Sequence, residues 1–202
     1  MIMRTIGNLW VLTTIVIFAM VGTAFGQSAA EYKVYSAVIE QMFVGGKVSF
    51  DSQSKVENLL IRTQTASNLL LSSKGEDWRE VMKSLPTLLK ETVDDYEAKP
   101  KNSDKLTASF KIGLKYQLFT NEEYDAMFEK KGANGWGDFY KQYPNTGGYI
   151  SFSRVGFDKP GKQALVYFQH SCGSLCATGF YILLVKSEEN WKVADKRMLW
   201  IS

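Results

Sequence analysis

Four runs near the carboxyl end decide the fold: Tyr149-Ile-Ser-Phe-Ser-Arg-Val-Gly-Phe157, Gln163-Ala-Leu-Val-Tyr-Phe-Gln-His170, Thr178-Gly-Phe-Tyr-Ile-Leu-Leu-Val-Lys186 and Trp191-Lys-Val-Ala-Asp-Lys-Arg-Met-Leu-Trp-Ile201. Each is rich in β-branched and aromatic residues, the composition of a strand. Between them stand Asp158-Lys-Pro-Gly161, Cys172-Gly-Ser-Leu-Cys176 and Ser187-Glu-Glu-Asn190, all turn material. Connections this short join antiparallel neighbours, so the four runs predict an antiparallel meander.

Upstream of the meander the period changes. Val34, Val38, Ile39, Met42 and Phe43 recur at helical spacing and predict an opening helix, which Gly45-Gly46 stops. A β-prone segment is centred on Leu59–Thr65. Two helical stretches follow, one over 76–83 and one from near Ser84-Leu85-Pro86 to about Ala98. Residues 99–105 are polar and read as a loop. Ala108, Phe110, Ile112, Leu114, Tyr116 and Leu118 alternate with other residues, the period of a half-buried strand. Thr120-Asn-Glu-Glu123 is a capping box that starts a helix through about Lys131. Helices early and strands late predict an α+β fold. The expectation is of N-terminal helices over one face of a curved, mainly antiparallel sheet, cystatin-like or nuclear-transport-factor-like by analogy.

The amino terminus reads as an export signal. Arg4 precedes an uncharged, mostly apolar run from Leu9 to Gly22, and Thr23-Ala-Phe-Gly26 places small residues before a cut at Gln27. The run is shorter than the ~20 residues of a spanning helix. Residues 1–26 are therefore expected to be a cleavable signal peptide and 27–202 one globular domain in the periplasm or secreted, with no later membrane span. The 24 basic residues barely exceed the 21 acidic ones, and loss of Arg4 lowers the formal charge from +3 to +2. With bases scattered among acids there is no nucleic-acid footprint.

Residues from about Phe119 onward carry a distinctive pattern. It comprises Trp136-Gly-Asp-Phe-Tyr140, Tyr143-Pro144, Gly148-Tyr-Ile-Ser-Phe-Ser-Arg-Val-Gly-Phe157, Ala164-Leu-Val-Tyr167 and Leu199-Trp-Ile-Ser202. The pattern resembles a group of uncharacterised exported bacterial proteins. That resemblance implies a bacterial origin and a shared fold, and it implies no activity.

Signatures of catalysis are absent. Gly132, Gly135 and Gly137 do not follow a strand, there is no Gly-x-Ser-x-Gly elbow, and Asp94-Asp95 and Glu122-Glu123 sit on expected helices as solvated faces. His170 is the single histidine. It forms a cluster with Cys172 and Cys176, for which the compartment favours a disulfide. A soft-metal site or a redox thiol pair on the same three residues is the alternative. Trp136, Phe139, Tyr140 and Tyr143 form an aromatic cluster that packs on the sheet or walls a pocket. Arg154 needs an anionic partner, either an internal carboxylate tying sheet to helix or a ligand in the concavity between them. Together these features predict a non-catalytic module with no cofactor that binds a small ligand or an envelope protein. A metal or redox protein, or an enzyme of another kind, is the competing reading.

Overall fold

The computed structural model describes residues 28–44, 58–66, 77–100, 105–130, 132 and 134–202. The expected signal peptide and the Gly45-Gly46 stop lie outside them.

Helix α1, Ala29–Ile39, starts at Ser28, whose Oγ accepts from the Glu31 amide while the Glu31 carboxylate accepts from the Ser28 amide. It runs on into a wider π turn, Glu40–Val44. Strand β1 is Asn58–Arg62, followed by α2, Trp78–Ser84, and α3, Lys90–Ala98. Next come β2, Lys115–Phe119, and α4, Asn121–Tyr124, which widens into a π turn at Asp125–Glu129. The capping box at Thr120 and Glu123 forms in both directions. Helix α5, Trp136–Gln142, leads to β3, Thr146–Phe152, and the two-residue β4, Gly156–Phe157. The chain ends with β5, Gln163–Gly173, β6, Cys176–Ser187, and β7, Asn190–Ile201.

The strands form one mixed sheet in the order β2-β1-β3-β5-β6-β7, with β4 against β5. Strands β3, β5, β6 and β7 are the antiparallel meander read from the sequence. Strand β1 is parallel to both neighbours, because helices cross over between β1 and β2 and between β2 and β3.

Helices cover both faces of this sheet, which corrects the expectation of one covered face. On one side Val34, Tyr35, Val38 and Ile39 of α1 pack on Leu59, Ile61, Ile150, Phe152, Val166, Phe168, Ile182 and Leu184, all fully buried. On the other, α2 and α3 cover Leu165, Tyr167, Tyr181 and Leu183, while α4 and α5 cover Leu60 and Tyr149. Continuous apolar runs in β5 and β6 reflect this double cover, for a strand buried on both faces has no polar side. Each such side chain contributes roughly 1.5–3 kcal/mol.

Three boundaries differ from expectation, each because side chains replace backbone partners. Helix α2 stops at Ser84, since the residue before Pro86 is driven out of helical geometry. Pro86 lies in the following turn, and α3 begins only at Lys90, where Gln163 Oε1 accepts from both the Leu89 amide and the Thr92 hydroxyl. The run Tyr149–Phe157 breaks at Ser153–Val155. There Ser153 Oγ takes the Tyr167 amide and Glu31 takes the Val155 amide. Of the alternating segment Ala108–Leu118, only Lys115–Phe119 is strand. The stretch before it is irregular, bending at Ala108 and at Gly113-Leu114, and three of its amides go to α1: Thr107 N–H to Tyr32 Oη at 2.7 Å, Lys111 N–H to Ser36 Oγ at 3.0 Å, and Gly113 N–H to the Glu40 carboxylate. Tyr32, Ser36 and Glu40 are four residues apart, so they stand one above another on the helix.

Two glycines permit close approach. Gly148 has φ +87°, and a Cβ there would strike the Ser171 carbonyl. At Gly156 a Cβ would meet the backbone of α3, so this residue lets α3 lie directly on β4.

Candidate functional site

The cysteines are joined. Cys172 and Cys176 form a disulfide across the tip of the β5–β6 hairpin, with Cα atoms 5.0 Å apart. Closing so small a loop contributes about 2 kcal/mol through unfolded-state entropy. His170 is engaged elsewhere, against Phe43 and the Gly147 carbonyl. It is almost fully buried, its Nε2 donates to the Gly147 carbonyl at 2.5 Å, and burial pushes its pKa down to about 4. Both thiols are consumed by the bridge and the imidazole faces β3. Among the described residues no group of three or more His, Cys, Asp or Glu side chains could hold a metal ion. The metal alternative built on His170, Cys172 and Cys176 therefore lacks its ligand set.

Arg154 has the internal partner. Its Nε and Nη2 reach the two oxygens of Glu31 at 2.8 and 3.1 Å. The arginine side chain is 12% exposed and the glutamate 2%. Glu31 is thus saturated: it receives Arg154, the Val155 amide and the Ser28 amide. The pair ties α1 to the break between β3 and β4, and the interior concavity under α1 is filled with packed side chains.

Trp136, Tyr140 and Tyr143 lie in an aromatic layer over the β1–β3 end of the sheet. Trp136 stacks on Tyr149 with ring planes 7° apart, and Phe119, Phe128 and Phe139 fill the space around them. Tyr143 donates to Glu123 Oε1 at 2.9 Å. Burial, and then that carboxylate, push its pKa up to about 12. Tyr140 is more exposed and donates to the Cys172 carbonyl at 2.8 Å. The aromatic cluster and the disulfide hairpin, separate in the sequence, therefore meet at this bond. Arg62 completes the layer, its guanidinium 3.8 Å from the Tyr124 ring centroid.

A feature that sequence reasoning missed lies on the outer side of α1. A groove of about 1000 Å³ runs between the 105–111 segment and the turn into β7. Its floor includes Ala29, Lys33 and Ala37, two alanines flanking a lysine at four-residue spacing, and its far wall is Glu189 to Lys192. Three distant parts of the chain build it. The one local signal is the pair of alanines, Ala29 and Ala37, on either side of Lys33 on α1, and spacing alone does not reveal what stands beside a helix.

No helix among the described residues is long and apolar enough to cross a membrane. No family model, curated protein or solved structure matches the chain.

Proposed function

We propose that the protein is an exported, non-catalytic module that binds a ligand in the groove over α1. The groove carries this reading: its volume, about 1000 Å³, lies at the upper end of the range of small-molecule sites. The pocket that the sequence suggested, between helix and sheet around Arg154, is occupied by the core and by Glu31. On this reading Arg154 holds the helix that floors the groove, and Trp136, Tyr140 and Tyr143 stiffen the opposite end of the sheet.

Export follows from residues 1–26 read as a cleaved signal, with the bacterial periplasm or the medium as the destination. The Cys172–Cys176 bridge supports an oxidising compartment. We read the sheet as curved around α1 in the cystatin-like or nuclear-transport-factor-like manner, an analogy of architecture that carries no activity.

Thermal-shift measurement against a panel of neutral, carboxylated and phosphorylated saccharides and metabolites tests the binding role. Ala29 is exposed in the groove, so Ala29→Trp plugs it without touching the core. At least one compound should raise the Tm of the native protein and leave the plugged variant unmoved. Stabilisation that survives the plug, or none across the panel, rejects the groove as the site.

A further inference from the structure

Resting on that reading, we propose that the groove takes an elongated saccharide bearing carboxylates along its length. Four lysines line it: Lys33 on α1, Lys105 and Lys111 on the segment beside it, and Lys192 near the start of β7. All four are exposed at the surface. The two acids of the lining are already engaged. Glu40 receives the Gly113 amide, while Glu189 is shared between Lys33 at 3.9 Å and Lys186, which is not part of the lining, at 3.4 Å. With four lysines against two glutamates, and Lys33 already opposite Glu189, the groove presents an excess of positive charge in a protein that is close to neutral overall.

The distribution of that charge selects the ligand. The Thr107 and Lys111 amides are held by Tyr32 and Ser36, one turn apart on α1, so Lys105 and Lys111 stand at different heights along the groove. With Lys33 and Lys192 on two other elements, the cations come from three sides of the groove. A single small anion could use only a fraction of them, whereas a chain with a charge on each unit could meet several. Among the described lining residues there is no arginine, the side chain whose forked donors grip a phosphate bidentately. Lysine is a point charge on a flexible stem, suited to carboxylates at adjustable spacing.

The remaining surface fits sugar rings. Trp191 is half-buried against Phe157 and still lines the groove, offering an apolar plane. Asn190 supplies an amide beside the lysines, a group that both donates and accepts, next to the hydroxyl cluster of Thr107, Ser109 and Tyr32.

Calorimetric titration of the purified protein at low salt tests the proposal with three probes: an oligomer of galacturonate, its methyl ester, which has the same rings and no charge, and linear inorganic polyphosphate. The galacturonate oligomer should bind at least about tenfold tighter than its ester and weaken as salt is raised. Each of Lys105→Gln, Lys111→Gln and Lys192→Gln should weaken it by up to about fivefold, and the triple variant by on the order of 50-fold, since exposed charge pairs contribute modestly and these are separated. The pair Lys83→Gln and Lys162→Gln changes exposed lysines outside the groove and should leave binding unaltered. Equal binding of the methyl ester, blocked by Ala29→Trp, overturns the anionic specificity while the groove stays a binding site. Tighter binding of polyphosphate overturns the saccharide class. Equal weakening by the Lys83 and Lys162 changes shows diffuse attraction and overturns the site. Absence of any binding by the galacturonate oligomer overturns the inference, and the wider panel with Ala29→Trp then judges the groove separately.

Discussion

Strands β5 to β7 and the segment 105–113 both turn apolar residues into the core and are held by different means. In the meander, backbone amides and carbonyls pair with one another from Gln163 to Ile201. In the segment, Leu106 and Phe110 are buried like strand residues, yet three amides are received by Tyr32, Ser36 and Glu40 of α1. The break at Ser153–Val155 is of the second kind, with Ser153 Oγ and Glu31 as surrogate acceptors. Burial therefore fixes which residues point inward, and the hydrogen-bond partner is a separate choice. Where a helix supplies it, the chain lies against the helix and a groove can open beside it. A ladder held by side chains can be cut one rung at a time, and that makes the difference measurable.

The heaviest rung is the Glu31–Arg154 pair. Arg154→Met keeps much of the apolar stem and leaves Glu31 buried with a charge that only two amides oppose. Breaking a buried pair in this way costs about 3–5 kcal/mol, read by urea denaturation. The double variant Glu31→Leu, Arg154→Met removes the stranded charge, and a large part of the loss should return, which a double-mutant cycle will resolve. A cost under about 1 kcal/mol for Arg154→Met would show that the pair is dispensable and the break is held by the ordinary ladder.

Within the backbone-paired region, one ionisation matters. His170 is neutral in the folded state, with its pKa lowered by burial from 6.5 to about 4. Between those values the unfolded chain binds the proton and the folded one does not, so stability rises with pH across that window. His170 thus contributes stability that is fully present above pH 6.5 and lost as pH falls through about 4, a difference of roughly 3 kcal/mol. Because it is the single histidine, its ring protons give one NMR titration, with an expected midpoint near 4. In His170→Gln the stability–pH slope between 4 and 6.5 should flatten by that amount. A midpoint near 6.5 would mean the ring is hydrated and the contribution absent.

The meander, the capping box at Thr120 and the disulfide were legible in the sequence because each is a local pattern: a period, a spacing, two nearby cysteines in an oxidising setting. The need of Arg154 for an anionic partner was legible too, since a guanidinium keeps its charge, but Glu31 lies 123 residues away and nothing local names it. Helices on the second face are signalled only indirectly, by the absence of a polar side on β5 and β6 and by apolar residues on both faces of Tyr149–Phe157. The groove was missed for the same reason as the false strand over 108–114: alternation reports burial, and it is silent on whether a strand or a helix side chain takes the amides.

The smallest rung gives the sharpest test of that last distinction. Ser36 is buried on α1, and its Oγ receives the Lys111 amide at 3.0 Å. Ser36→Ala removes the acceptor and adds no bulk, so the change isolates one hydrogen bond at a cost of about 1 kcal/mol. In native-state hydrogen exchange the Lys111 amide should then exchange on the order of fivefold faster or more, through local opening of the segment. Amides of the meander, such as those of Val166 and Ile182, should follow only the small change in global stability. Tyr32→Phe should do the same to the Thr107 amide and leave Lys111 nearly unchanged, because each rung is an independent side chain. If either substitution instead accelerates Thr107, Lys111 and the meander together, the segment opens only with the whole fold. The two regions would then be one cooperative unit despite their different bonds.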